Sequence, residues 1–428
     1  MMALIYNSLQ LAPQDWPFDI SLLPQPIYLV GGAVRDSLLG RDRPDFDLDF
    51  IVPSQAIPTA RRLADRYGAG FVILDEQRQI ARVVFEGGTV DCAQLEGNSL
   101  EDDLRRRDFT INAIAYDPHQ QQLIDPLKGV KSLQKRAIAM VSVQNLKDDP
   151  LRLLRAYRQA AQLDFAIAPR TQNTLRQLAP LLTTIAAERV QAELNYLLSS
   201  ERGDRWLTVA AEDGLLSQWL DRVTPEKLHQ LAQIEQCAWL IGKIWQSLGE
   251  QLQTAINPQT LSWLALGKLA CLVGSDPDLA ESQLKKLKYS RAEIRAVKTA
   301  LTPLERLLAV AKRPLIPSEQ YFFFREVKEV FPLTMVLTVA IAAARGILNE
   351  TRAMSAVAPL INRYLDESDR AAHPRPLVTG RDLLQSLDLS PSPLIGELLT
   401  EIQIAHIEGK VETPEEALQF AAQYIKSL

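Results

Sequence analysis

Leu29-Val-Gly-Gly-Ala-Val-Arg-Asp36, followed at once by Asp45-Phe-Asp-Leu-Asp49, is the stretch from which the rest of the chain can be read. The apolar run Ile27–Val30 predicts a short buried strand, Gly31-Gly32 breaks it, and Ala33–Leu39 opens a helix. Paired glycines let backbone N–H groups approach a phosphate without side-chain obstruction, and a helix N-terminus behind them favours an anion. Asp45, Asp47 and Asp49 then alternate with Phe46, Leu48 and Phe50 on the next predicted strand. Residues two apart on a strand face the same way, so these carboxylates share a face. Two of them beside a phosphate-binding turn suit two Mg²⁺ ions holding a nucleoside triphosphate. The competing readings are a structural glycine turn and a solvated edge strand blunted by aspartates. Aspartate is a poor strand residue, and a row of them without a cation is costly, which favours the first reading.

The chain has 428 residues, 47% of them hydrophobic, enough for about three ordinary domains and a sizeable core. Its formal net charge of −5 excludes a uniformly basic nucleic-acid binder; a polyanion would dock on local basic patches. Cys92, Cys237 and Cys271 lie far apart without CxxC spacing, which argues for a reducing compartment and against zinc or a disulfide framework. No basic segment and long apolar run open the chain, so no signal peptide is expected. Leu333–Ala344, the longest apolar run, falls short of the roughly 18–20 residues of a membrane span. A cytoplasmic protein without a membrane partner is expected.

After a proline-marked lead-in (residues 1–26), strands are predicted at Asp45–Val52, Phe71–Leu74, Ile80–Phe85 and Thr89–Ala93. A Gly87-Gly88 hairpin turn joins the last two, and a helix follows the second strand from an N-cap at Ser54 to Tyr67. This is an α+β segment with one mixed or mostly antiparallel sheet. From about Val130 the apolar period changes to 3.6 and stays there, giving helices at Asp149–Phe165, Thr171–Leu182, Ala187–Leu198, Trp206–Leu220 and Leu228–Leu248. Lys312–Pro317 and His373–Pro376 interrupt the helical part.

Further motifs carry charge in ordered settings. Asp91 puts another carboxylate on a neighbouring strand, as a metal-site residue or an ordinary strand residue. In Arg105-Arg-Arg-Asp-Phe-Thr-Ile-Asn112, Asp108, Thr110 and Asn112 alternate with apolar residues. Asp148-Asp-Pro-Leu-Arg-Leu-Leu-Arg-Ala-Tyr-Arg158 opens a helix, with either aspartate as its cap and Pro150 at the first helical position. Arg152, Arg155 and Arg158 sit three apart and fan over one side, as a triphosphate clamp or as salt-bridged surface residues. Lys285, Lys286, Lys288, Arg291, Arg295 and Lys298 form a basic cluster able to follow a phosphate backbone or simply to face water. The four histidines make no HD pair or HExxH spacing, and no nucleophile elbow occurs.

In this order the motifs resemble those of class II tRNA nucleotidyltransferases, the CCA-adding enzymes and their bacterial poly(A) polymerase relatives. They are Gly31–Asp36, the DxD strand at 45–49, Arg106–Ala113 and Asp148–Arg158, with Glu188–Leu194, Thr379–Leu384 and Ile407–Val411 extending the match along nearly the whole chain. The resemblance implies a polymerase-β-like nucleotidyltransferase head (1–138) and an all-α neck (139–200), body (201–312) and tail (313–428). It implies two Mg²⁺ ions on the aspartates. Spacing from Gly40 selects Asp45 and Asp47, whereas Asp-Leu-Asp-Phe-Ile-Val selects Asp47 and Asp49; the second pair is preferred because the apolar strand continues directly from it, with Asp45 in reserve. Gly31, Gly32 and Arg35 would meet the nucleotide. Arg107 and Asp108, with Asn112 in the same motif, would lie by the ribose and triphosphate. Asp149 and Arg152 would read the base edge, and Arg155 and Arg158 would support the nucleotide. Only Cys92–Asp103 separates Asp91 from Leu104, just ahead of the Arg-Arg-Asp motif, where CCA-adding members carry a long loop associated with switching from CTP to ATP. The expectation is therefore CMP addition from CTP to the tRNA 3′ end, through contacts with the acceptor stem and T arm. A separate A-adding enzyme would complete CCA. A full CCA-adding enzyme using ATP as well, a poly(A) polymerase and an inactive RNA-binding module are the alternatives.

Overall fold

In a computed structural model, residues 11–41, 45–220 and 223–427 are described; the first ten residues of the lead-in lie outside them. The chain forms two compact units, meeting in sequence at Gln218–Trp219.

The first unit is built on a seven-stranded sheet in the order β3-β4-β5-β2-β1-β6-β7. The strands are β1 (Tyr28–Val30), β2 (Phe46–Val52), β3 (Gly70–Asp75), β4 (Ile80–Phe85), β5 (Gly88–Gln94), β6 (Ala115–Asp117) and β7 (Gln122–Ile124). The β2–β5 pair is parallel and the other pairs are antiparallel, so the sheet is mixed, as expected. The β4–β5 hairpin forms, but its two-residue turn is Glu86-Gly87, because Gly88 already pairs with Phe85. Gly87 takes the positive φ (85°) that this turn needs.

Helix α1 (Gly32–Leu38) leaves β1 through Gly31, and α2 (Ala56–Tyr67) follows β2. The predicted Ser54 cap is not used: Gln55, with φ 57°, precedes the helix without a side-chain cap. After α3 (Leu100–Arg105) and α4 (Gly129–Gln134), two short strands, β8 (Ala137–Ile138) and β9 (Ala166–Ile167), pair in parallel. They flank α5 (Val143–Asp148) and α6 (Leu151–Leu163). The helix expected from Asp149 forms as α6, entered through Asp149 and Pro150 as expected, and α5 is a further short helix that ends just before it. Helix α6 buries Leu153, Leu154, Ala156, Tyr157 and Ala160 and turns its arginines the other way. Helices α7 (Pro169–Leu178), α8 (Ala187–Ser199) and α9 (Gly203–Glu212) complete the unit. Pro180 converts the expected continuation of α7 into a 3-10 turn, and the predicted helix to Leu220 stops before Gly214 (φ 82°).

The second unit is helical: α10 (Pro225–Ile244), α11 (Gln246–Leu252), α12 (Trp263–Val273), α13 (Pro277–Lys286), α14 (Arg291–Leu301), α15 (Leu304–Leu308), α16 (Pro317–Val327), α17 (Phe331–Ala344), α18 (Glu350–Leu365), α19 (Gly380–Ser386), α20 (Pro393–Ile407) and α21 (Pro414–Ser427). The predicted Leu228–Leu248 helix breaks at Trp245. Pro317–Ala344 has the length and hydropathy of a membrane span, yet 78% of its apolar window is buried within the protein. Helix α17, apolar all round, is a core helix. The last three helices share their own core of Val378, Leu383, Leu398, Ile402 and Ala405.

Candidate nucleotide-binding site

The sheet face that carries β2 and the N-terminal half of α6 line one cavity of about 690 Å³ in the first unit. Gly31, Gly32, Arg35, Asp47, Asp49, Arg107, Asp108, Asn112, Asp149, Arg152, Arg155 and Arg158 all line it.

Asp47 and Asp49 leave β2 on one face. Strand pairing sets Asp49 opposite Val30 and Asp91, and Asp47 opposite Thr89. Thr89 Oγ1 donates to Asp47 Oδ1 at 2.7 Å. Burial first, and then the charges of Asp47 and Asp91, push the Asp49 carboxyl up to about 6; Arg107 and Arg82 offset this only in part. The pair is therefore short of positive charge, the condition a divalent cation relieves. Among the described residues no three His, Cys, Asp or Glu side chains gather as a metal cage. Two carboxylates plus phosphate oxygens is the usual Mg²⁺ arrangement.

The other two carboxylates are placed differently. Arg82 takes both Asp91 oxygens, with Nε donating to Oδ1 at 2.7 Å and Nη2 to Oδ2 at 2.8 Å. Asp45 precedes β2 and lines a neighbouring depression with Phe46, Val84 and Phe85, which Asp47 borders as well.

Gly31 is required by conformation and by contact. Its φ is +74°, and a Cβ there would lie 3.3 Å from both Arg107 Nη1 and Asp49 Oδ2. From α1, Arg35 Nη1 donates to Asn112 Oδ1 at 2.7 Å while Asp36 holds its Nε at 2.8 Å. Asn112 Nδ2 donates to Asp108 Oδ1 (2.9 Å) and to Gln159 Oε1 (3.0 Å). A buried polar chain thus links α1, the Asp108–Asn112 segment and α6. Within that segment Thr110–Asn112 form a 3-10 turn. Three buried polar atoms here lack a hydrogen bond: Arg107 Nε, Asp108 Oδ2 and Arg155 Nε. The last two face each other as an ion pair at 3.2 Å. Unsatisfied groups lining a cavity are those a polar ligand would complete.

Across the cavity, Asp149 Oδ1 accepts from Leu151 N at 3.3 Å, which is the capping contact expected of this pair. Asp148 instead accepts from Gln144 Nε2 at 2.7 Å. Arg189 Nη2 of α8 lies 3.3 Å from both Asp149 oxygens. Arg152 Nη1 donates to the backbone oxygens of Arg106 (2.8 Å) and Asn145 (3.1 Å). Arg158 Nε donates to Glu193 Oε2 at 2.6 Å, and its guanidinium lies 5.2 Å from the Tyr196 ring centre. Gln159, Arg189 and Glu193 were not singled out from the sequence. Gln159 was legible in principle, at i+7 from Arg152 on the α6 face.

The chain matches three family models over separate stretches: the Poly A polymerase head domain at residues 27–139, the RNA and SrmB-binding site of polymerase A at residues 164–226, and tRNA nucleotidyltransferase domain 2 at residues 255–422. It is 49% identical to a CC-adding tRNA nucleotidyltransferase of Synechocystis, over 97% of each chain. It is 32% identical to an A-adding tRNA nucleotidyltransferase of Deinococcus radiodurans, over 94% of this chain and 96% of the other. The fold is that of a Thermotoga maritima CCA-adding enzyme complexed with tRNA, with a TM-score of 0.68 at 22% identity, covering 94% and 91% of the two chains.

Proposed function

The chain belongs to the tRNA nucleotidyltransferases, and from that premise we propose that it adds CMP residues from CTP to the tRNA 3′ end and stops at CC. The observation that carries the reading is the meeting, in one cavity, of a partly compensated Asp47/Asp49 pair with a wall bearing Asp149 and Arg152. The CC limit rests on the 49% identity with a CC-adding relative and on the short link between β5 and α3, Leu95–Ser99.

Asp47 and Asp49 would hold Mg²⁺; when bound, it activates the tRNA 3′-OH and stabilises charge on the α-phosphate and departing pyrophosphate. Asp91, committed to Arg82, and Asp45, outside the cavity, are left out of that set. Gly31 and Gly32 keep the triphosphate path free of side chains, with Arg35 and Arg107 on its flank. Asp108 and Arg155 take the sugar. A carboxylate has about four acceptor sites, so Asp149 can keep Arg189 and still accept from cytosine N4–H. Arg152 uses one nitrogen on backbone carbonyls, leaving further N–H groups for cytosine N3 and O2.

The tRNA acceptor stem and T arm are assigned to the neck, body and tail (139–200, 201–312 and 313–428), in the cytoplasm, with a separate A-adding enzyme completing CCA. The test offers labelled CTP and Mg²⁺ to tRNA ending at its discriminator base. The wild type and Asp45→Ala incorporate CMP, and Asp47→Ala does not. Retained incorporation by Asp47→Ala would remove this residue from the site, and none by the wild type would overturn the reading.

A further inference from the structure

We propose that Asn145, which touches neither the expected nucleotide nor the carboxylates, is the positioning residue that sets base choice by anchoring Arg152. The proposal rests on the CTP reading above. Asn145 is 8% exposed on α5, and Ser142 Oγ holds its backbone N–H at 3.1 Å. Its amide Nδ2 donates to two carbonyls at once, Arg105 O and Arg107 O, each at 2.7 Å. Both amide donors are therefore used. The carbonyl between them, Arg106 O, receives Arg152 Nη1, and the same nitrogen donates to Asn145 O. Three consecutive carbonyls are thus gathered on Asn145 and Arg152. The turn they belong to ends in Arg107, the side chain pressed against Gly31 and beside Asp49.

Two consequences follow. First, the base-facing guanidinium bonds directly to the metal-facing turn at Arg106 O, and the buried Asn145 amide fixes the carbonyls on either side of that one. Second, neutral carbonyls hold Arg152, and among the described residues no carboxylate pairs with it; Asp148, the acidic neighbour, is bonded to Gln144. Arg152 therefore keeps its full charge for a base edge rich in acceptors. Cytosine offers two there, N3 and O2, whereas adenine offers only N1, so a fixed Arg152 favours CTP.

Removing the amide releases the carbonyls of Arg105 and Arg107 and loosens the turn that Arg152 grips at Arg106 O, and small displacements of positioning groups cost roughly 10- to 100-fold in rate. The variants are Asn145→Ala, Asn145→Ser and Asn145→Asp, with Val143→Ala on the exposed side of α5 as the control. kcat and KM for CTP and ATP are measured separately on tRNA ending at the discriminator base. CTP and ATP binding without tRNA is measured by calorimetry. In Asn145→Ala the ratio of kcat/KM for CTP over ATP falls at least about tenfold, mainly through KM for CTP. Asn145→Ser, which keeps one donor, falls between, and Val143→Ala retains the wild-type ratio. Asn145→Asp, with a carboxylate facing two carbonyls, loses the preference most. A folded Asn145→Ala or Asn145→Ser with the wild-type CTP:ATP ratio overturns the assignment. Should Asn145→Ala not fold, Asn145→Ser decides alone. If the wild type adds no CMP, the functional reading fails, while the calorimetric ratio still decides the role of Asn145.

Discussion

At the scale of single residues, the site is poised by what it lacks. Asp49 holds its proton up to about pH 6, far above the ordinary carboxylate value near 3.8, because it is buried beside Asp47 and Asp91. The native state then binds this proton more tightly than the unfolded chain. Stability of the metal-free protein therefore falls as pH rises from about 4 to 6 and stays lower above that window. Asp49→Asn removes the penalty and raises metal-free stability at pH 7 by about 1–2 kcal/mol, while abolishing CMP addition. Urea unfolding at pH 4 and pH 7 checks the first part; an equal effect at both values would contradict it. Gly31→Ala adds a side chain at φ +74°, 3.3 Å from Arg107 and Asp49. Strain of about 1–3 kcal/mol is expected, seen as a lower Tm, together with lost CMP addition. Unchanged melting and activity would show that the turn tolerates a side chain.

At the scale of elements, α6 decides the site. Arg152, Arg155 and Gln159 recur at helical spacing on its open face, while Leu153, Leu154, Tyr157 and Ala160 fill the core behind. Gln159→Ala leaves a buried Asn112 N–H without its second partner, which costs about 1–3 kcal/mol and is measurable by thermal unfolding. The strands and helices, and the residues that line the cavity, were legible because period and motif are local signals. Their partners were not. That Arg82 claims Asp91, or that Asn145 spans Arg105 and Arg107, depends on pairings made by strand register and by the folding of α5 back onto a turn forty residues earlier. Boundaries slipped for local reasons of their own: Pro180 ended a predicted helix in a 3-10 turn, and Gln55 replaced Ser54 at a helix start.

At the scale of the whole molecule, an acidic chain must still hold a polyanion. The basic cluster on α13 and α14 is partly neutralised, since Lys298 pairs with Asp278 and Glu281, and Lys285 with Glu281. Lys288, Arg291 and Arg295 stay exposed, and we assign them to tRNA phosphates. Arg291→Ala with Arg295→Ala should weaken tRNA binding and lower its salt slope by about one per lost contact, with CTP binding unchanged. An unchanged slope would move the tRNA elsewhere. The central claim is that this enzyme adds cytidines and stops. Its most direct test is the length of product made from a tRNA ending at the discriminator base with CTP, ATP and Mg²⁺ together. The account predicts extension by CC, with no ATP incorporated even on a CC-ended tRNA; a terminal A added by the pure protein would contradict it.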